Sequence, residues 1–344
     1  MKNKGFIFVV EMITAAIIIF ILFNFFFPPI SFQHNWDKAL LSLLSRDIIL
    51  SIERNNELYK YSFNLDELKE TLYQRKIIPS SIVEWSETEN AIKKKITIAC
   101  KCPANVINDL TNLLTDLKIN EREIKFEIKS SDLTLIPVSD VLLIWGYNDL
   151  SVPETFESLK KYLAEGNGIV EVSDITYAQI NADSGHREIF GLTTGVGTLS
   201  NLHHLEFSRA PESSSDIIYE AWKYLRVNFS QNYQFSNFLN YDKIIAQDER
   251  KVLLKADVKT TANEIAPAVV LNDKYGKAAW ISDFSEGGIN NEEKWILIWL
   301  LLWASNKHEK SGTKVPLGCE NSYINVYNGD FFEVYAFTLG LGHP

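Results

Sequence analysis

The longest run of apolar residues lies at the start of the chain. The segment Phe6–Phe27 is about 22 residues long, and a membrane-spanning helix needs about 20. The pair Pro28-Pro29 closes the segment, as expected where a helix must end. Because Lys2 and Lys4 lie on the amino-terminal side, the positive-inside rule predicts a cytoplasmic N-terminus and a chain that continues outside the cell.

Helical spacing of apolar residues predicts two helices after this segment. The first covers Trp36–Glu57, and the second covers Asn64–Arg75. In the second helix, Asn64 is followed three residues later by Glu67, which is a capping pattern. We interpret these two helices as a stalk that follows the membrane segment.

From Lys94 onward the pattern changes to alternating strands and helices. Uninterrupted apolar runs such as Val141–Trp145 are typical of parallel strands covered on both faces. Strand, helix, strand, strand, helix and strand in this order predict an α/β sheet with right-handed crossovers. The predicted strands are Ile96–Cys100, Ile124–Ile128, Val141–Trp145 and Gly168–Ser173, and the predicted helices are Pro103–Leu117 and Pro153–Gly166.

Two further elements are predicted near the C-terminus. The helix Glu292–Ser305 is strongly apolar, but its apolar run is too short to cross a bilayer, so we expect it to be buried in the protein. After a linker that begins at Lys310, the segments Tyr323–Tyr327 and Phe331–Leu341 flank a turn and predict a β-hairpin. A lone hairpin is marginally stable, so it must pack on another domain, on the stalk helix or on another subunit.

The predicted fold class is therefore α/β, with a single N-terminal transmembrane helix, a helical stalk, a mainly parallel sheet and a C-terminal β-hairpin. The predicted domains are 1–29 for the anchor, 30–92 for the stalk, 93–309 for the α/β domain, and 310–344 for the linker and hairpin.

Charge and composition exclude some classes of partner. The formal net charge is −10 at pH 7, whereas a nucleic-acid-binding face needs clustered Lys and Arg. We therefore expect no nucleic acid, and the lipid bilayer is the partner that the apolar segment predicts. The sequon at Asn228 is a glycosylation site if its loop is exposed outside the cell.

Three cysteines are present, Cys100, Cys102 and Cys319. Outside the membrane a disulfide is expected to join Cys319 to one of the other two, leaving one thiol over. A metal site at the Cys100-Lys-Cys102 pair would lack a second ligand pair, so no metal is predicted.

The residues around the start of the apolar segment resemble a type IV prepilin signal. The sequence Lys4-Gly5-Phe6 with Glu11 soon after is similar to that of pilin-like proteins of archaea. The resemblance implies that a prepilin-type peptidase cuts after Gly5, and that the new amine of Phe6 pairs with Glu11 of a neighbouring pilin-like subunit. Glu11 is one residue later, counted from Phe6, than the acid of bacterial pilins. The alternative is an uncleaved signal anchor with Glu11 near the cytoplasmic interface.

A second resemblance covers the middle of the chain. The segments Asp140–Gly146, Ser151–Glu154 and Leu159–Val170 resemble the class I glutamine amidotransferase-like fold, a doubly wound arrangement related in layout to flavodoxin. Much later, Ala266–Leu271 and Gly276–Asp283 resemble the closing strands of such domains. The resemblance implies a cysteine nucleophile on a sharp strand-to-helix turn and a histidine supplied later.

The nucleophile motif of that fold is missing. No Gly-x-Cys-x-Gly or Gly-x-Ser-x-Gly sequence occurs in the chain. Ser173-Asp174 and Ser282-Asp283 both end strands, where sites of open sheets gather, but such residues are more often turn or cap residues. His203-His204 lacks a third metal ligand, and the glycine-rich Gly191–Gly197 lacks the lysine of a phosphate loop and predicts a flexible loop.

These patterns predict a membrane-anchored, extracytoplasmic protein without catalytic residues or cofactor, either a pilin-like subunit or a binding module. The alternative is an anchored hydrolase or transferase of amidotransferase-like fold with an unrecognised nucleophile. A serine or cysteine within hydrogen-bond reach of a histidine would favour the alternative.

Overall fold

The structure is a computed structural model of the 344-residue chain. It describes residues 32–79, 81–92, 94–119, 122–173, 175–193, 198–199, 202–208, 210–213, 216–219, 233–234, 241–242, 244–258, 265–282, 289, 291–305, 308–312, 319–328 and 332–342.

The helices and strands are numbered in chain order. The helices are α1 (Phe32–Arg54), α2 (Leu58–Phe63), α3 (Leu65–Gln74), α4 (Ala104–Leu114), α5 (Pro153–Ala164), α6 (Tyr177–Ala182), α7 (Ser184–Phe190) and α8 (Asn291–Ser305). The strands are β1 (Val83–Ile92), β2 (Lys95–Lys101), β3 (Lys118–Ile119), β4 (Arg122–Glu123), β5 (Lys125–Ser130), β6 (Val141–Trp145), β7 (Gly168–Val172), β8 (Leu192–Thr193), β9 (Thr198–Leu199), β10 (Leu202–Phe207), β11 (Tyr233–Gln234), β12 (Tyr241–Asp242), β13 (Ile245–Ala246), β14 (Val252–Val258), β15 (Ile265–Asn272), β16 (Ala278–Ile281), β17 (His308–Gly312), β18 (Cys319–Asn328) and β19 (Phe332–Gly342).

The chain divides into two compact units. The helical unit contains the described residues up to 89, together with 310–325 and those from 336 onward. The sheet unit contains residues 90–309 and 326–335. The range 30–92, predicted to be a helical stalk, also contains the strand β1.

A nine-stranded sheet forms the core of the sheet unit, in the order β11-β10-β14-β15-β16-β7-β6-β2-β5. The strands from β16 to β5 run parallel to their neighbours, and the strands from β11 to β16 pair antiparallel. The expected α/β class with a large sheet that contains parallel strands is confirmed.

The two central parallel strands, β6 and β7, are the most apolar of the parallel strands. Every residue of β6 and β7 is buried, because helices cover the sheet on both faces. The helix α8 packs especially closely on β7, since a Cβ atom at Gly168 would lie 2.2 Å from the backbone oxygen of Ala304. As predicted, α8 is buried in the protein, with Leu297 and Leu300 fully inaccessible.

A four-stranded sheet, in the order β17-β1-β19-β18, contains the C-terminal hairpin. Within the helical unit β19 pairs antiparallel with β1, and Gly340 lies opposite Trp85. The hairpin is tied to the helix α1 by hydrogen bonds, including Ser45 Oγ to the Leu339 oxygen at 2.7 Å and Asn321 Nδ2 to the Ser42 oxygen at 2.7 Å. Of the three partners predicted for the hairpin, the structure shows a helix of the predicted stalk segment, α1.

One prediction about a segment needs correction. The linker predicted from Lys310 begins inside a strand, because β17 extends to Gly312. Of the glycine-rich segment Gly191–Gly197, the structure describes only the first three residues: Gly191 ends α7 with φ of 67°, a left-handed conformation that glycine adopts without strain, and β8 follows at once.

The predicted membrane segment Phe6–Phe27 lies outside the described residues. Within the part of the chain that the structure describes, no helix has the length and apolar character needed to cross a bilayer.

Candidate functional site

Several polar residues gather where the parallel strands of the sheet unit end. Ser173 follows β7 directly, and Ser282 follows the neighbouring parallel strand β16. Glu171 lies two residues before Ser173 and opposite Trp280, so these side chains share one face of the sheet. Ligand sites of open α/β sheets form at this carboxyl edge, which makes it the first place to look for chemistry.

The helix α7 covers this part of the edge. Asp183 is its N-cap residue: one carboxylate oxygen accepts the His186 backbone N–H at 3.1 Å, and the other accepts the Leu150 N–H at 2.8 Å. Gly185 brings the helix close to the loop after β6, since a Cβ atom there would lie 2.2 Å from the Leu150 oxygen. The cap and this close approach fix the position of His186.

His186 connects α7 to β7 through two carboxylates. Its Nδ1 lies 2.6 Å from Asp183 Oδ2, and its Nε2 lies 2.9 Å from Glu171 Oε1. Ser173 Oγ donates to the same Glu171 oxygen at 2.5 Å and accepts from Trp280 Nε1 at 3.1 Å. These five residues, here called the buried network, are each at most 1 % exposed.

The charges of the buried network are those of an imidazolium between two carboxylates. Burial alone would lower the pKa of His186, but the charge of Glu171 and the hydrogen bonds to both carboxylates raise it to about 9. Burial works against ionisation of Asp183 too, but hydrogen bonds from His186 and from backbone N–H groups lower the pKa of that carboxyl below its ordinary value. His186 is therefore protonated at neutral pH.

Tyr147 completes the surroundings of the imidazolium. Its ring stacks on that of His186 with centroids 5.4 Å apart, and its hydroxyl donates to Asp183 Oδ2 at 3.4 Å. Burial, followed by the charge of Asp183, raises the pKa of Tyr147 to about 12, so the phenol stays neutral. The second oxygen of Glu171 is buried without a hydrogen-bond partner among the described residues.

The buried network contains a serine, a histidine and two carboxylates, but its connections differ from those of a catalytic triad. In a triad the serine donates to the imidazole, which acts as a base. Here Ser173 donates to Glu171, both ring nitrogens of His186 face carboxylates, and the ring carries a proton at neutral pH. Neither Ser173 nor His186 is accessible to solvent. This arrangement joins a helix to a strand, and its histidine is not positioned as the base of a triad.

The cysteines pair differently in the structure from the pairing that the sequence predicted. Cys100 and Cys102 are joined to each other by a disulfide with Cα atoms 5.3 Å apart, and Cys319 is a free, half-buried thiol. Cys319 lies on the β18 strand of the other unit, so the pairing expected from the odd number of cysteines is not formed. Cys100 is buried within β2 and Cys102 follows that strand, which brings both to its carboxyl end.

Other predicted site residues lie outside the described part of the chain. These are Gly5, Phe6, Glu11 and Asn228, and also Asp174 and Asp283 next to the two serines. His203 and His204 belong to β10, and their side chains fall outside the description. Among the described residues there is no group of three or more His, Cys, Asp or Glu side chains able to hold a metal ion.

Sequence reasoning missed His186, Glu171 and Asp183. One signal was available: Glu171 is the only charged residue in the apolar strand Gly168–Val172, and a buried carboxylate requires a partner. Asp183 three residues before His186 also has the spacing of an N-cap. The sequence does not show that these two features meet, because their contact depends on how α7 packs against the sheet.

Comparisons with known proteins assign no family to the chain. No family model and no curated protein matches it. A solved ThuA-like protein from Bacteroides uniformis is similar over 62% of this chain and 89% of its own, at 13% identity with a TM-score of 0.38. Another, from Parabacteroides merdae, covers 62% and 88% at 12% identity, also with a TM-score of 0.38. The mmIFT52 N-terminal domain covers 60% and 97% at 15% identity, with a TM-score of 0.35.

Proposed function

We propose that the protein is a single-span membrane protein whose folded units act outside the cytoplasm as a non-catalytic binding or structural module. The observation that carries the membrane part is the apolar segment Phe6–Phe27, which matches the thickness of a bilayer. Lys2 and Lys4 on its amino-terminal side favour an N-terminus in the cytoplasm. The disulfide between Cys100 and Cys102 is consistent with an oxidising compartment.

The geometry of the buried network supports the non-catalytic part. Ser173 ends a parallel strand where an enzyme of this class would place reactive groups, yet its hydroxyl is buried and bonded to Glu171 and Trp280. A nucleophile must be reachable by its substrate, and the Ser173 hydroxyl is buried. The network then serves to hold α7 against the sheet.

Two finer assignments belong to the same proposal. The connection of β6, α5 and β7 is the unit in which the sequence resembles the class I glutamine amidotransferase-like fold, and we assign the sheet unit to that arrangement. The Lys4-Gly5-Phe6 sequence with Glu11 supports cleavage after Gly5 by a prepilin-type peptidase and assembly with pilin-like subunits.

Membrane insertion is tested with the full chain carrying a C-terminal tag. The native segment is expected to stay in the membrane after alkaline carbonate extraction, and external protease is expected to remove the tag from intact cells. The matched control replaces Ile18 and Ile21 with arginine, because each charge near the centre of a span opposes insertion by roughly 3 kcal/mol. Recovery of the native chain in the carbonate supernatant, or a tag protected from external protease, would overturn the membrane proposal.

Two measurements test the other parts. Mass spectrometry of the native N-terminus is expected to find a chain that begins at Phe6, and a chain that retains Met1 would remove prepilin processing. A fluorophosphonate probe, which labels activated serines, is expected to leave Ser173 unmodified in the folded protein. Labelling of Ser173 that is lost in Ser173→Ala would contradict the non-catalytic reading.

A further inference from the structure

The disulfide between Cys100 and Cys102 enters the proposed function only as a sign of the compartment. It closes a loop of three residues at the carboxyl end of β2, the edge at which sites of parallel sheets form. A disulfide stabilises a fold mainly by closing a loop in the unfolded chain, and the gain falls as the loop shortens. Because this loop is one of the shortest that a disulfide closes, the bond contributes little to the stability of the sheet unit.

Other contacts hold this end of β2 in place. The strand pairs in parallel with β5 on one side and with β6 on the other. At Cys100 the backbone oxygen accepts the Ser131 N–H at 2.9 Å, and the residue is fully buried. Opening the disulfide breaks none of these backbone hydrogen bonds. We therefore expect the bond to break and re-form while the sheet unit stays folded.

The two cysteines differ in their access to solvent. Cys100 is inaccessible, whereas Cys102 is half-buried and is followed by the three exposed residues Pro103–Asn105. A thiolate opens a disulfide by attacking one sulfur and expelling the other, and the rate depends on access to the sulfur that is attacked. In the folded protein this difference directs the attack to Cys102 and makes Cys100 the leaving group.

The start of α4 acts on a thiolate formed at Cys102. Pro103 is the N-cap of this helix and its first turn contains no acidic residue, so the positive end of the helix dipole lies next to Cys102. Cysteine thiolates are stabilised at such positions. The Leu143 carbonyl oxygen, 3.9 Å from Cys102 Sγ, has the opposite effect, but a thiol is a weak hydrogen-bond donor. A stabilised thiolate is the better leaving group, so Cys102 is released readily from a mixed disulfide.

We propose that Cys100 and Cys102 form a redox site that accepts two electrons from an external dithiol. One thiolate of the dithiol attacks Cys102 Sγ, the bond between the two cysteines breaks, and Cys100 leaves as a thiolate that takes a proton from solvent. The second thiolate of the dithiol then attacks the dithiol sulfur of the mixed disulfide and releases Cys102, which is also protonated from solvent. The dithiol is oxidised to a disulfide, the protein disulfide is reduced to two thiols, and the two protons lost by the dithiol balance the two that the cysteines gain.

This inference goes beyond the proposed function. It concerns one reversible exchange per molecule without turnover of a substrate, so it is compatible with a non-catalytic module. The exchange depends neither on the membrane segment nor on the buried network. Its test can therefore fail while the proposed function stands, and the reverse is also true.

The test measures reduction of the full chain in lipid nanodiscs. Cys319 is replaced by serine, so that only the two cysteines of the site react. The chain is treated with dithiothreitol, quenched with acid at intervals and alkylated, and the free thiols are counted by mass spectrometry. We expect the folded chain to be reduced at a rate within about tenfold of that of the chain unfolded in urea, because the attacked sulfur is accessible in both. Oxidised glutathione is then expected to restore the disulfide.

A second dithiol identifies the kind of donor. Reduced thioredoxin is compared with dithiothreitol at equal concentration. Faster reduction by thioredoxin indicates a protein dithiol, and faster reduction by dithiothreitol indicates a small one. Either result supports the redox site.

Two single-cysteine variants test the direction of attack. With Cys319 also replaced, Cys100→Ser leaves Cys102 as the only thiol, and Cys102→Ser leaves Cys100. In the folded protein, oxidised glutathione is expected to form a mixed disulfide with Cys102 at least about tenfold faster than with Cys100, which is buried. The matched control is the same pair of variants in urea, where the two rates are expected to be similar.

Three results would overturn the inference. The first is a folded chain that resists dithiothreitol while the chain in urea is reduced. The second is an equal rate of mixed-disulfide formation by the two folded single-cysteine variants. The third is loss of far-ultraviolet circular dichroism on reduction of the folded chain, which would show that the disulfide is needed to maintain the fold.

Discussion

The buried network predicts a large loss of stability when His186 is replaced by leucine. Leucine fits the apolar side of the site, where Tyr147 and Phe190 flank the imidazole, so the main loss is the positive charge. Asp183 would keep two backbone N–H donors, from Leu150 and from residue 186 itself. Glu171 would keep only the Ser173 hydroxyl, and its second oxygen has no partner among the described residues.

Two separate considerations give the loss of unfolding free energy expected for His186→Leu. Removing one member of a buried ion pair lowers the free energy of unfolding by roughly 3–5 kcal/mol, because it leaves an uncompensated charge. The pKa of His186, raised from 6.5 to about 9, corresponds to about 3 kcal/mol of preferential stabilisation of the protonated ring in the folded state. Both considerations place the effect of His186→Leu at about 3 kcal/mol.

The pH dependence has a definite sign. The folded-state pKa of His186 is higher than the unfolded value, so its stabilising contribution is fully present below pH of about 6.5. As the pH rises from there through 9, the folded protein alone keeps the proton, and the contribution is lost. The lowered pKa of Asp183 acts in the opposite direction, and its contribution is lost only as acid protonates the carboxylate.

The assay is urea unfolding of the full chain in nanodiscs, followed by tryptophan fluorescence, to which Trp280 contributes from within the network. We expect His186→Leu to lower the free energy of unfolding by about 3 kcal/mol at pH 6, with a difference that shrinks towards pH 10. The control is the double variant Glu171→Gln with His186→Leu, which keeps the acceptor for Ser173 but removes the unpaired charge. A single variant as stable as the native protein at pH 6, or a double variant no more stable than the single one, would contradict a stabilising charge on His186.

Two further predictions concern the packing of the hairpin and the cysteines. Gly340→Ala should cost about 1–3 kcal/mol of stability by overpacking, because its Cβ atom would lie 2.0 Å from the buried indole of Trp85; an unchanged urea midpoint would contradict this. Under denaturing conditions we expect maleimide to modify Cys319 before reduction, and Cys100 and Cys102 only after it. Mass spectrometry showing all three cysteines modified without a reductant would disprove the disulfide.

Part of the fold could be predicted because buried strands and helix caps have recognisable residue patterns in the sequence. The strand β6 was predicted from an uninterrupted apolar run. The pair Asn64 and Glu67 marked the start of α3, where the Asn64 side chain accepts the Glu67 N–H. Both signals are local, since they depend only on residues within a few positions of one another.

The strand β1 shows why other elements could not be predicted. Its sequence contains several glutamates, which are uncommon in strands, yet Glu84 and Glu87 are both buried. Glu84 is matched by an ion pair with Lys69 at 3.1 Å and by a hydrogen bond from Tyr73, both on α3. A buried carboxylate is acceptable only when such partners are present, and they come from another element of the fold.

The buried network also depends on contacts between separate elements, because α7 supplies His186 as a partner of Glu171 on β7. A ligand that moved α7 away from the sheet would have to break the Asp183 cap and the contact of Gly185 with Leu150. It would also separate an imidazolium from its carboxylates, at about the cost expected for His186→Leu. A site that must give up several kcal/mol before it can bind is poorly suited to recognition.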